Sequence, residues 1–223
     1  MATCYMCNSE ATSVEHAPPK CIFPRQRDLP EGVNLRDQLI TVPSCDEHNQ
    51  NRSQDDEYLL YSLVINVASN EIAQNHFFAA IMRAINRNPA LIQRYTRTAV
   101  PVTIEDPETG ERADSFAVSI EYERFEQSID NLARAIYFQH YQEKLLTPIT
   151  IQPEIILRTL DPAYAHVNAM VNEISRASDV FFENSEFHGN NPGVFKYQID
   201  QDAAGSKMMR LHFYDNAKIT TVL

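Results

Sequence analysis

Two pairs of cysteine and histidine residues near the start of the chain have the spacing of a metal site. Cys4 and Cys7 form a C-x-x-C pair, and Cys45 and His48 form a C-x-x-H pair. Thiolate and imidazole groups are usual ligands of Zn²⁺, and two such pairs supply the four ligands of a closed tetrahedral site. The spacing therefore predicts a structural zinc ion, which would hold together a segment too small to fold on its own.

The remaining cysteine, Cys21, lies in the stretch PPKCIFP, outside both pairs. A free cysteine usually packs as a small apolar side chain, and we expect this of Cys21. If His48 did not bind the metal, Cys21 would be the substitute ligand in a four-cysteine site. Four clustered cysteines are too few for a disulfide scaffold in a chain of 223 residues, so metal binding is favoured.

A Glu-His pair, Glu15 and His16, lies between the two arms in TSVEHAPPKCIFP, and Asn49 directly follows the second arm. Closing the metal site would bring His16 near the segment that follows Cys45. Imidazole titrates near neutrality and can act as a general base, while carboxylate and amide oxygens bind hard divalent cations. These are the residue types that phosphodiester hydrolysis needs, and the two prolines after His16 would help to fix its orientation.

The stretch CYMC…VEHAPPKCIFP…LITVPSCDEHNQNRSQDDEY resembles the HNH endonuclease family, the ββα-metal or His-Me finger nucleases built on a zinc-supported, treble-clef hairpin and helix. The resemblance covers residues 4–58 of the chain. It implies that His16 is the general base that takes a proton from the attacking water. It also implies that Glu15 and Asn49 bind a catalytic Mg²⁺ or Mn²⁺ ion at the scissile phosphate.

The chain departs from this family pattern in three places. A C-x-x-H replaces the more usual C-x-x-C on the second arm, which zinc tolerates. Arg52 stands where many members have lysine, which keeps a positive charge near the phosphate. The middle asparagine of the family has no firm counterpart, because Asn34, Asp37 and Gln38 are all candidates for its position.

Each of these residues also has a simpler interpretation. His16 could bind or support the zinc in a binding module, and Asn49 could cap a helix. Asp55, Asp56 and Glu57 are most simply acids in the first turn of a helix, where the dipole favours negative charge, although one of them could join the divalent ion. The other histidines are expected to pack in the interior or lie on the surface: His76, His140, His166, His188 and His212.

Acidic residues outnumber basic residues along the whole chain. The net charge is −11, with 5 basic and 10 acidic residues in residues 1–57 and 14 and 20 in the remainder. Affinity for a phosphate backbone comes largely from Lys and Arg, so a nuclease of this charge would need recruitment, oligomerisation or a high local substrate concentration. With five glycines and neither a GxxxxGK[ST] nor a GxGxxG motif, the chain is not a nucleotide-binding protein of those kinds.

The hydrophobic pattern predicts an α+β fold, with a small zinc-bound ββα-metal unit followed by a helix-rich region that contains antiparallel strands. We expect two domains, residues 1–57 and residues 58–223, the second serving in sensing, oligomerisation or partner docking. The predicted elements are a helix capped by Ser53, helices over 72–88, 125–144 and 162–182, strands over 100–104 and 115–122, and two or three antiparallel strands in the tail.

The sequence therefore predicts a metal-dependent HNH endonuclease that acts on nucleic acid, with DNA favoured over RNA. Neither a membrane span nor a signal peptide is recognisable, so a cytoplasmic location is expected. The resemblance implies a setting in defence or in mobile elements, with a homo-oligomer or an activating protein as partner. Two alternatives remain open, namely a zinc-binding adaptor without catalytic activity and a hydrolase of a small phosphodiester.

Overall fold

The computed structural model describes residues 2–49, 53–65, 70–87, 93, 97–105, 109–155 and 160–223. Over these ranges the chain is a mixed α+β protein with antiparallel sheets, which confirms the predicted fold class at that level. No helix among the described residues is both long and apolar enough to pass through a lipid bilayer.

Residues 2–49 form an antiparallel pair of strands followed by a short helix. β1 (Ser13–His16) pairs with β2 (Thr41–Ser44), and α1 (Asp46–Asn49) follows after one residue. The long connection between the strands contains 3₁₀ turns at Lys20–Ile22 and Gln26–Asp28 and is anchored by buried apolar side chains rather than by a tight turn. This order of elements agrees with the predicted strand, strand and helix, whereas the treble-clef assignment stays a prediction.

The predicted helices are present, with shifted ends. They are α2 (Ser53–Val64), α3 (Glu71–His76), a π-helical turn (Phe77–Ile81) that leads into α4 (Met82–Arg87), α5 (Tyr122–Tyr141), and α6 (Ala165–Phe181) after a 3₁₀ turn (Pro162–Tyr164). Ser53 is the first residue of α2 rather than its cap. α5 ends where Gln142 adopts a left-handed conformation with φ of 58°. The predicted end of the second helix at residues 88 and 89 lies outside the described residues.

A two-stranded hairpin, β3 (Val100–Glu105) and β4 (Arg112–Ala117), precedes α5. The prediction of a strand over residues 115–122 is wrong at both ends. Because β4 pairs along its whole length with β3, the ladder extends back to Arg112, where the guanidinium binds the Glu105 carboxylate at 2.7 Å. The strand cannot reach Tyr122 because that residue already begins α5.

The C-terminal half contains a five-stranded antiparallel sheet in the order β5-β9-β8-β7-β6. Its strands are β5 (Thr150–Pro153), β6 (His188–Asn191), β7 (Phe195–Gln201), β8 (Lys207–Phe213) and β9 (Ala217–Val222). The last three strands are those predicted for the tail. The two edge strands were not predicted, because β6 is entirely polar and β5 is too short to show an alternating pattern.

One continuous core joins the N-terminal segment to the rest of the chain. It contains buried apolar residues of residues 2–49, of α2 and α5, and of the five-stranded sheet. Tyr214, which is completely buried, donates a hydrogen bond to the Ile22 carbonyl at 2.5 Å. The predicted domain boundary after residue 57 falls inside α2, and the division into two domains stays a prediction.

Candidate functional site

A turn at the start of the chain carries the first pair of candidate metal ligands. An isolated bridge between Thr3 and Glu10 closes this turn, and the Cys4 amide donates to the Ser9 carbonyl at 2.9 Å. The Tyr5 amide donates to the Pro43 carbonyl at 2.9 Å, which attaches the turn to β2. The second pair lies directly after β2, so the hairpin brings both pairs to one end of the strands.

Cys4, Cys7, Cys45 and His48 lie close together and could hold a metal ion, consistent with zinc. Their four ligand atoms are all within 4.8 Å of one another. His48 Nδ1 lies 3.5 Å from Cys4 Sγ and 3.2 Å from Cys45 Sγ, and Cys7 Sγ lies 3.8 Å from Cys45 Sγ. Zinc bonds of roughly 2.0 Å to nitrogen and 2.3 Å to sulfur, at tetrahedral angles, place neighbouring ligand atoms about 3.5–3.8 Å apart.

The surroundings of the cluster also fit thiolate ligands. The Met6 amide lies 3.5 Å from Cys4 Sγ and donates to it. Hydrogen bonds from Ser9 lower the pKa of the Cys7 thiol, whereas burial raises the pKa of Cys45. A bound cation would favour the thiolate form of both, since metal binding displaces protons from its ligands.

Cys21 is separate from this cluster, as the sequence predicts. Its thiol donates to the backbone carbonyl of Asp56 at 3.4 Å. Burial, together with the nearby Asp56 carboxylate, raises the pKa of Cys21 to about 12. A thiol in this environment stays protonated and is a poor metal ligand.

The Glu-His pair occupies the end of β1. In the register with β2, Glu15 pairs with Val42 and His16 pairs with Thr41. The Ser44 hydroxyl lies 3.4 Å from Glu15 Oε2 and donates to it. Burial lowers the pKa of His16, and the charges of Lys20 and Arg36 lower it further. The neutral imidazole is therefore favoured at neutral pH.

Asn49 ends α1, and its side chain reaches β1. Its Nδ2 donates to the Ser13 hydroxyl at 2.8 Å. Alternate residues of a strand lie on the same face, so Ser13 and Glu15 share a face, one side-chain step apart. The structure thus places Asn49 beside the strand face that carries Glu15.

A cavity of about 400 Å³ lies beside the Glu-His pair. Glu15 and His16 form part of its wall, and the metal-ligand candidate His48 forms another part. Asp55 and Asp56 of α2 also line it, while Asn49 is not among the described lining residues. The opposite wall is one face of α5, formed mainly by polar residues: Arg124, Gln127, Ser128, Asn131, Leu132 and Ala135.

The three candidates for the middle asparagine of the family are not part of this cavity wall. Asn34 donates to Asp37 at 2.5 Å in an exposed turn. Gln38, with φ of 52°, lines a different and much smaller cavity, beside Asn190 and Asn191. The structure therefore selects none of the three. Arg52 lies outside the described residues.

The acids at the start of α2 have local partners. Asp55 accepts a hydrogen bond from Arg124 Nε at 2.5 Å, and Glu57 accepts one from the Tyr61 hydroxyl. These contacts fit the simpler interpretation of both residues as structural acids. Sequence reasoning missed Arg124 and its polar neighbours on α5, because nothing in residues 122–141 signals which helix face meets the Glu-His pair.

Three of the remaining histidines bond to other side chains. His76 and His140 lie 3.2 and 3.3 Å from the hydroxyls of Tyr214 and Tyr197, and His212 lies 3.1 Å from Gln198. These contacts join helices to the sheet or neighbouring strands to each other. They agree with the expected role in packing.

Comparison of the chain with models of protein families, with curated proteins and with solved structures gives no match. The metal cluster and the adjoining cavity are therefore the features of the molecule that point to a function.

Proposed function

We propose that the protein is a metal-dependent HNH-type endonuclease that hydrolyses phosphodiester bonds of nucleic acid, with DNA favoured over RNA. The observation that carries the proposal is the cavity next to the cysteine-histidine cluster, where Glu15 and His16 at the end of β1 lie beside His48. In this proposal Cys4, Cys7, Cys45 and His48 hold a structural zinc ion, and the hairpin that they fix presents the Glu-His pair.

His16 acts as the general base in the proposed reaction. Its imidazole lies in the cavity wall, where it would accept a proton from the water that attacks phosphorus. The bond from phosphorus to the leaving oxygen breaks as the new bond to the water oxygen forms. The hairpin pairing around His16 fixes the backbone from which the imidazole projects. The side chain therefore loses little conformational freedom when substrate binds.

Glu15 and Asn49 would hold the catalytic Mg²⁺ or Mn²⁺ ion. Their carboxylate and amide oxygens are hard ligands, and Mg²⁺ commonly binds one or two carboxylates together with substrate phosphates. Hydrogen bonds from Ser44 to Glu15 and from Asn49 to Ser13 orient the two side chains. When bound, such an ion supplies stabilisation of the charge on the phosphate and the leaving oxygen.

The test is cleavage of plasmid, single-stranded DNA and RNA with Mg²⁺ or Mn²⁺, with and without EDTA. We expect cleavage that EDTA stops and Mg²⁺ restores, with the zinc content measured in the same samples. His16→Ala should lower the rate by at least about a hundredfold, the usual scale for loss of a general base. His166→Ala, at an exposed position on α6, is the matched control and should cleave like the wild type.

A zinc-binding adaptor without catalytic activity is the second candidate. Two observations favour it: the net charge of −11, and the position of Asn34, Asp37 and Gln38 outside the wall of the cavity. An adaptor would bind one zinc ion tightly and no second divalent ion. Unchanged cleavage in His16→Ala, or no cleavage of any substrate by a zinc-loaded wild type, would contradict the nuclease and favour the adaptor.

A further inference from the structure

The cavity beside the Glu-His pair is closed by a part of the chain outside the predicted nuclease unit. One wall includes Glu15, His16, Ala17, Pro19 and the start of α2, and the other belongs to α5. The α5 residues Arg124, Ser128, Asn131 and Ala135 are spaced three or four positions apart and therefore form one face of the helix. A ligand beside His16 would therefore also touch this face.

Arg124 is the one Lys or Arg among the described residues that line the cavity. Its neighbours there include the acids Glu15, Asp55 and Asp56. An anionic ligand would be repelled by these carboxylates unless a cation faced it. Besides the divalent ion proposed at Glu15, Arg124 is the group in the wall that can meet this need, because a guanidinium stays charged at any ordinary pH.

The geometry of Arg124 suits the exchange of one anionic partner for another. Its Nε donates to Asp55 Oδ1 at 2.5 Å, and its Nη1 lies 3.8 Å from Glu121 Oε2. The guanidinium also lies 4.6 Å from the centre of the Tyr58 ring, which holds its plane. The Asp55 side chain is 48% exposed, so it can return to water when Arg124 turns to a phosphate.

We propose that Arg124 binds a phosphate oxygen of the substrate, releasing Asp55, and that the cavity takes a phosphodiester that is not part of a duplex. This inference rests on the proposed function for the position of the scissile bond. The α5 wall then determines what reaches His16, and Asp55 acts as a competitor that occupies Arg124 until substrate arrives.

The shape of the site sets the class of substrate. A cavity of about 400 Å³ with a wall on each side is in the size range of small-ligand pockets. A single-stranded nucleotide or a free phosphodiester can enter it, whereas a paired nucleotide must first leave the duplex. Gln127 and Asn131, which hydrogen-bond to each other at 3.2 Å, add amide donors and acceptors that a base or sugar can use.

Opposite substitutions of the Arg124–Asp55 pair test the proposal. The assay is equilibrium binding of a fluorescent single-stranded oligonucleotide, with Mg²⁺ present, in a His16→Ala background so that no cleavage intervenes. We expect Arg124→Gln to weaken binding about tenfold or more, as loss of a charge-assisted contact does, and Asp55→Asn to strengthen it several-fold. Arg176→Gln, which removes an exposed ion pair on α6, is the matched control and should leave binding unchanged.

A purely structural ion pair gives a different result, because both substitutions would then lower stability and neither would raise affinity. Equal shifts in one direction, or no shift in either variant, would overturn the proposal, provided that thermal unfolding shows both variants folded. If Arg124→Gln does not fold, two other variants test the proposal. Arg124→Lys keeps the positive charge and should bind more tightly than a variant without it, and Asp55→Asn should still bind the oligonucleotide more tightly than the parent protein.

Two further ligands identify the substrate class. If a free phosphodiester enters the cavity, bis(p-nitrophenyl) phosphate should compete with the oligonucleotide for the parent protein and much less for Arg124→Gln. If only unlabelled single strands compete, the site is one for nucleic acid. A duplex that binds as tightly as the single strand would overturn the assignment. Because binding is measured without cleavage, a wild type that binds but never cleaves would refute the proposed nuclease and leave the Arg124 site intact.

Discussion

Residues 2–49 and the five-stranded sheet reach order by different means. The N-terminal segment buries few large apolar side chains, among them Tyr5, Ile22 and Phe23, and its ends meet at four candidate metal ligands. The sheet instead buries apolar side chains along β7, β8 and β9, and β8 is buried on both faces. The difference indicates that the segment with the candidate site would depend on the proposed metal ion for its order more than the five-stranded sheet does.

Loss of the metal site should have the largest effect on stability, and this effect should be confined to residues 2–49. Cys45→Ala removes one of the four ligands, and structural zinc sites contribute about 10 kcal/mol or more to the folding of small units. We expect the variant to purify without zinc and to lose amide-exchange protection in residues 2–49 while β7–β9 stay protected. Elemental analysis and hydrogen exchange measure the two effects.

The matched control is Cys21→Ala, which removes a partly buried thiol outside the cluster. It should keep full zinc content and lose only the stability of a small packing defect. If Cys45→Ala kept its zinc, or if the sheet lost protection together with residues 2–49, the two regions would not differ in the way proposed here.

The sequence predicts some features of these two regions and not others, depending on whether the interactions that form them are local in the chain. Metal ligands carry their own spacing, so the C-x-x-C and C-x-x-H pairs predict the cluster without any knowledge of the fold. The alternation of β7, β8 and β9 likewise predicts three strands, because each buries apolar residues in a regular order. In both cases the signal lies within a short stretch of chain.

Other features depend on partners distant in sequence and leave no such signal. β6 reads HGNN and is a strand only because β7 pairs with it. The polar face of α5 resembles any solvated helix face until the fold places it opposite His16. The same holds for Asn49, whose hydrogen bond to Ser13 crosses from α1 to β1. The sequence identifies Asn49 as a candidate ligand because of its amide oxygen, but it does not show which residue the side chain contacts.

The next largest effect is expected at a buried ion cluster between the sheet and α6. Arg210 on β8, 2% exposed, donates to both oxygens of Glu154, which is 4% exposed, and to Asp179 of α6. Arg210→Met would leave the Glu154 charge buried without its partner, which typically costs about 3–5 kcal/mol. Urea unfolding should show this loss, with unchanged zinc content.

A double variant separates the ion pair from general damage at this position. Arg210→Met combined with Glu154→Gln removes both charges, so it should recover part of the stability lost in the single variant. Arg176→Gln, which removes an exposed ion pair on α6, should change stability by no more than about 0.5 kcal/mol. A single variant as stable as this control would show that the cluster contributes nothing to the sheet.

The smallest of the expected effects is a dependence of the sheet on pH through His212. Burial, together with the charges of Arg210, Lys218 and Lys196 and against the opposing charge of Asp179, lowers the pKa of His212 to about 3. Gln198 Nε2 donates to the carbonyls of Phe182 and Ser185, so its Oε1 is left to accept from His212 Nε2. The folded protein therefore holds His212 in its neutral form with the proton on Nε2.

The direction of the pH effect follows from the pH at which the folded and the unfolded states each bind the proton. The unfolded chain protonates this histidine near its ordinary pKa of about 6.5, while the folded protein does so only near pH 3. Its contribution to stability is thus complete above pH 6.5 and is lost as the pH falls toward 3. Between pH 6.5 and 5 the loss is on the order of 2 kcal/mol, since each pKa unit corresponds to about 1.4 kcal/mol.

His212→Gln keeps a donor for Gln198 and cannot titrate, so it should lose less stability than the wild type over this pH range. His166→Gln, at an exposed position on α6, should follow the wild type. Unfolding of the zinc-loaded protein in urea at pH 7 and pH 5, followed by a probe in the sheet, measures the difference. Equal acid sensitivity in wild type and His212→Gln would assign the loss to other groups that gain protons, namely the metal ligands or His76, whose pKa burial lowers to about 4.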